Sequence, residues 1–181
     1  MKKFIHLILS LLLCAASLVV ASACAISDFQ KVEQAFEKTE NVVKAVKEVR
    51  VSREQDLLRS VTEEYTLEEE TYTVVTSTRV RNPIGAGEEF TDEVTTQTVK
   101  AEDIRFGSLP AEEALGSIVY SGDLVLEAKI TDPDAIGLTA EDVDGDIFFR
   151  AELKDDLLEE AEIQYTAPSG NDVVISLRFT Y

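Results

Sequence analysis

The stretch "EIQYTAPSGNDVVISLRFTY", Glu162–Tyr181, decides the fold. Two apolar runs flank the turn residues Pro168-Ser169-Gly170-Asn171, and beyond the turn Val173, Ile175, Leu177, Phe179 and Tyr181 recur at every second position. A period of two places them on one side of a strand and the intervening residues on the other. A sheet with one dry face and one wet face is the antiparallel kind. Working outward, Asp146–Leu153 puts Ile147, Phe149, Ala151 and Leu153 on one side. Ile118–Ile130 reads as a single strand with Ile118, Tyr120, Leu124, Leu126, Ala128 and Ile130 together.

The earlier chain is more mixed. Thr71–Val80 alternates with Tyr72, Val74, Thr76, Thr78 and Val80 on one side, and Asn82–Gly87 is a turn by composition. Phe90–Lys100 is a threonine-rich strand, and 101–116 reads as a connection with a helical turn at Ala111–Leu115. Residues 49–64 can be read two ways. Val49-Arg50-Val51 alternates like a strand, whereas Ser52-Arg53-Glu54-Gln55 has the form of a cap on a short helix carrying Leu57, Leu58 and Val61; the helix is the favoured reading. Ahead of it, Ser27 and Gln30 fit a capping box, and Phe29, Val32, Phe36, Thr39, Val43 and Val46 form one stripe at helical spacing. This predicts a helix from Asp28 to about Glu48. The expected fold is α+β: an N-terminal helix packed in two layers on a mostly antiparallel sheet.

The N-terminus reads as an export signal, residues 1–23: Lys2 and Lys3, an apolar stretch from Phe4 to Val20, then small residues before Cys24. Seventeen residues lie at the short end for a spanning helix, and the small-residue site favours cleavage over retention. Cys14 would leave with the leader, so Cys24 would be the one thiol of the mature chain. Ala21-Ser22-Ala23-Cys24 resembles a bacterial lipobox, which implies acylation of Cys24; an ordinary A-x-A site would cut at the same bond. Acylation also disposes of a free thiol in an oxidising compartment. The expected organisation is therefore a leader at 1–23, a lipidated tether at 24–27, and one α+β domain at 28–181 in the cell envelope. Ala25 is not the aspartate that resembles an inner-membrane retention signal, so an outer location is open.

The full chain carries 35 acidic and 17 basic residues, a formal charge of −18. Without Lys2 and Lys3 the balance is 15 basic to 35 acidic, or −20, and His6, the only histidine, has gone too. Such a charge disfavours nucleic acid and peripheral binding to a surface of anionic lipid headgroups, both of which need clustered Lys and Arg. It suits cations, a basic envelope protein or a salt-rich habitat. Lacking histidine, the mature chain can form no Ser-His-Asp or Cys-His arrangement and no His-containing zinc site. Nothing singles out one carboxylate pair for hydrolysis, and the expectation is no enzyme and no cofactor. Asp142-Val143-Asp144-Gly145-Asp146 looks briefly like a calcium loop. With Gly145 in sixth place, however, Ala140 and Ala151 fall where the first and last ligands belong. A tight acidic turn is the better reading, and the other acid runs read as solvated faces.

The last third, with its acidic turn "DVDGD", the strand "IFFRAEL", the charged "KDDLLEE" and the hairpin around "APSG", resembles the end of the LppX/LprG branch of LolA-like bacterial lipoproteins. That resemblance implies a curved antiparallel half-barrel with a helix across its mouth and an apolar cavity for acyl chains, in proteins that bind or carry lipids without catalysis. The expected function is a membrane-anchored lipoprotein that holds an apolar, lipid ligand between helix and sheet. Phe149, Tyr165, Ile175, Leu177 and Phe179 are the candidate lining. The alternative is an acidic interaction module with a packed core and no cavity. A ligand site needs an apolar volume of roughly 300 Å³ or more.

Overall fold

The computed structural model describes residues 26–181 except Ala86 and Asp123, and the side chains of all these but Glu40 and Asn41. The leader, Cys14, Cys24 and Ala25 lie outside the described residues. The first element is α1 (Asp28–Glu37), which Ser27 caps as its spacing predicts. The Ser27 hydroxyl accepts from the Gln30 amide at 3.2 Å, and the Gln30 side chain accepts from the Ser27 amide at 3.0 Å.

Among the described residues nine strands follow: β1 (Lys44–Arg53), β2 (Asp56–Glu68), β3 (Thr71–Arg81), β4 (Phe90–Lys100), β5 (Leu115–Ser121), β6 (Val125–Ile130), β7 (Ile147–Lys154), β8 (Leu157–Thr166) and β9 (Asp172–Thr180). They form one open sheet in the order β4-β3-β2-β1-β9-β8-β7-β6-β5, antiparallel throughout. The hairpin within Glu162–Tyr181 is β8–β9, with Gly170 at φ 75 in its turn.

Three expectations are corrected. The helix is half the predicted length: after Glu37 the chain makes a short 3-10 turn (Lys38–Asn41) and enters β1. Val43 and Val46 belong to the helical stripe only by coincidence of spacing; Val43 is exposed and Val46 lies in β1. Second, 49–64 is no helix but the β1–β2 hairpin, whose turn residues Glu54 and Gln55 sit at φ 51 and 74. Both central residues at positive φ is what a type I′ hairpin turn requires, and neither residue type announces it. Third, Ile118–Ile130 is two strands, β5 and β6, reversed at Gly122–Leu124, where Gly122 and Leu124 have φ 55 and 81.

The helix packs over β7 and β8, burying Phe29, Val32, Ala35 and Phe36 against Leu126, Phe149, Ala151 and Leu158. Val32, Ala35, Leu126, Ala151 and Leu158 are fully enclosed. Each Å² of apolar surface this layer withdraws from water stabilises the sheet's second half by about 25 cal/mol. A second cover comes from the chain between β4 and β5. Because those are the two edge strands, the connection 101–114 must run from one side of the sheet to the other. It passes over the helix-bearing face, where Phe106 meets Tyr65, Tyr72 and Phe179 edge-on at centroid distances of 5.1, 5.6 and 5.7 Å. Such edge-to-face pairs place the positive ring edge against a negative ring face.

Candidate functional site

The ladder registers define which residues share the helix-bearing face. Phe149, Ile163, Ile175, Val49 and Val61 form one row across β7, β8, β9, β1 and β2. Tyr165, Val173, Val51, Arg59 and Val80 form the row beside it. Ala161, Leu177, Lys47 and Glu63 form the row on the other side. All five predicted lining residues therefore lie on the same face of the sheet. They do not surround one space. Phe149 and Phe179 are core residues, the first against the Phe36 ring at 6.4 Å. Tyr165 and Leu177 pack from the margin of that core, and Ile175 is half-buried beside Val49.

Beneath the helix the space is filled by side chains. Where helix and connection leave off, the same face continues into an open depression of about 240 Å³, lined by Lys47, Val49, Val51, Arg59, Val61 and Glu63. Its floor is three valines, a consequence of the β1 and β2 alternation. The ends differ electrically. At one, Lys47 faces Glu63 at 3.6 Å, and Glu63 also accepts from the Tyr65 hydroxyl at 2.9 Å. At the other, Arg59 is exposed and its guanidinium has no ion-pair or hydrogen-bond partner among the described residues. In a chain with twice as many acids as bases, a guanidinium left free over an apolar floor is unusual. Burial, then the Glu63 hydrogen bond, pushes the Tyr65 phenol up to about 12.

Two other depressions flank the core. One of about 290 Å³ opens between the helix and the connection, with Glu33 and Glu37 on its wall beside Phe36 and Phe106. One of about 430 Å³ lies on the opposite face, around Val119, Phe148 and Arg150. Arg150 on its wall pairs with Glu152, with Glu160 at 3.5 Å and with Glu127 at 3.9 Å.

The acidic turn 142–146 is drawn into its own surroundings. Asp142 accepts from the Thr139 amide and hydroxyl at 2.8 and 2.7 Å, which holds its carboxyl below the usual range. Asp146 pairs with Lys129 at 2.5 Å. Among the described residues no three His, Cys, Asp or Glu side chains gather in a way that could hold a metal ion, and no helix is long and apolar enough to cross a membrane.

Sequence reasoning missed Arg59, Val61 and Phe106. The signal for the valine floor was present in Val49-Arg50-Val51, and reading 49–64 as a helix hid it. Phe106 had no signal beyond its isolation in a polar connection. No family model matches this chain, and no curated protein matches its sequence.

Proposed function

We propose that this protein is a cell-envelope lipoprotein, anchored through acylated Cys24, that binds an apolar ligand of the lipid class on the helix-bearing face of a curved, half-barrel sheet. Its role is binding or carriage, without catalysis. The observation that carries the reading is the valine-floored depression with a free cation at one end. An acyl chain would lie along Val49, Val51 and Val61 and run on toward Ile175 and Tyr165, its anionic end at Arg59. Arginine suits that end because its planar fork pairs with both oxygens of a carboxylate or phosphate. The volume of about 240 Å³ falls short of the roughly 300 Å³ of an ordinary ligand pocket, so this face would grip part of a lipid and leave the rest at the surface.

The filled space under the helix favours a second reading, an acidic-surfaced module that recognises a basic envelope protein. Native mass spectrometry separates the two. The chain from residue 25 onward, which lacks the acylated cysteine, is purified from a bacterial envelope without detergent and then offered a fatty acid and a phospholipid. A stoichiometric lipid adduct, weakened at least tenfold by Arg59→Glu, is the expected result. A clean apo mass that takes up neither lipid would overturn the lipid reading in favour of the interaction module.

A further inference from the structure

The two edges of the sheet are finished differently. The edge strand β5 is short, seven residues, and is broken by a register shift between Gly116 and Val119 with Ser117 at φ 53. Short length and bulges are how sheets discourage unwanted pairing. The edge strand β4 carries neither device. It pairs with β3 over an unbroken register from Thr71↔Lys100 to Arg81↔Phe90. Between Thr91 and Val99 it has no Lys, Arg, Pro or Gly, and from Thr91 to Thr98 every residue is exposed. Its backbone on the far side has no strand to pair with among the described residues, and its threonines and valines favour pairing.

We propose that β4 is the contact strand of a symmetric dimer, in which β4 of a second copy adds antiparallel with the two-fold axis at Thr96. The strand's own sequence argues for a second copy over a foreign strand. Centring the pairing on Thr96 sets Asp92 opposite Lys100 of the second copy, and symmetry repeats that ion pair at the other end. Val94 then faces Thr98, Glu93 faces Val99, and Thr95 faces Gln97. No like charges oppose one another, and matched residues fall on the same face of the sheet, as antiparallel pairing requires. Asp92 is already oriented by a bidentate pair with Arg79 at 2.7 and 2.8 Å, so its carboxylate stands fixed in that row. Such an interface is self-complementary and closes on itself, which stops growth at two copies. Affinity comes from main-chain hydrogen bonds along the edge.

The test is light scattering on the full-length chain, solubilised in detergent and fractionated by size, at 0.5 M salt to suppress repulsion between two acidic molecules. The expected wild-type mass is that of a dimer. Thr96→Lys sets like charges face to face at the axis, and Lys100→Glu turns both ion pairs into repulsions. Each change is expected to raise the dissociation constant at least tenfold, and both sites are exposed, so the fold should persist by circular dichroism. A wild-type monomer at all concentrations overturns the proposal, as does a dimer indifferent to both substitutions.

Discussion

At the scale of single residues, the hydroxyls of Tyr72 and Tyr181 join distant parts of the chain. The Tyr72 hydroxyl donates to the Val42 carbonyl at 2.7 Å, and Tyr181 donates to that of Leu158 at 3.1 Å. Tyr65 has a titratable consequence. Its phenol is pushed up to about 12 by burial first and by Glu63 second, against about 10 in an unfolded chain. The neutral form is therefore favoured in the folded state. The resulting stability is fully present below pH 10 and is lost as pH rises through the folded value. Urea unfolding between pH 9 and 12 should show stability falling with pH. Tyr65→Phe should flatten that fall while leaving the acid side unchanged. An equal slope in the variant would mean that Tyr65 is not its source.

At the scale of elements, legibility followed turn chemistry more than strand pattern. β3, β7 and β9 could be read from alternation alone and β4 from its threonines, and β8–β9 also announced its turn with Pro168 and Gly170. The β1–β2 hairpin could not be read, because its turn is Glu54-Gln55, two residues that ordinarily avoid positive φ. Leu124 similarly hid the β5–β6 reversal. The ambiguity has a physical basis: Leu57, Leu58 and Val61 satisfy a helical spacing, while a register shift between Val51 and Ser52 breaks the simple strand alternation. The same misreading concealed half of the candidate site, since Arg59 and Val61 acquire a common face with Val49 and Val51 only once β1 and β2 pair. Strain at the turn should be removable. Left-handed backbone costs an ordinary residue roughly 1–2 kcal/mol, and Asn-Gly relieves it in this turn type. Glu54→Asn with Gln55→Gly should stabilise the protein by about 1 kcal/mol in denaturant titrations. A loss of stability would indicate that the Glu54 and Gln55 side chains make contacts worth more than the strain.

At the scale of the whole molecule, charge opposes compactness. Formal charge is −18 over the full chain, and self-repulsion of that kind destabilises a folded state. Most ion pairs here are exposed, such as Lys100 with Glu102, and pairs of that type contribute little. Screening should therefore relieve more repulsion than attraction. Raising salt from 0.05 to 1 M is expected to lift the melting temperature by a few degrees, at about 2–4 °C for each kcal/mol in a domain of this size. A fall in melting temperature would show instead that the Arg150 network and its like outweigh the net repulsion.

The position of β9 has a consequence for the order of events during synthesis. β1–β4 form one run of neighbouring hairpins and β5–β8 another, and a single strand lies between the two runs. That strand, β9, is the last of the nine to leave the ribosome. Until it emerges, β1 has no partner on one side, β8 has none on the other, and the rows Phe149–Val61 and Ala161–Glu63 are each cut in two. A chain that lacks β9 therefore holds its strands as two separate runs. The sheet becomes continuous only when β9 pairs on both of its sides.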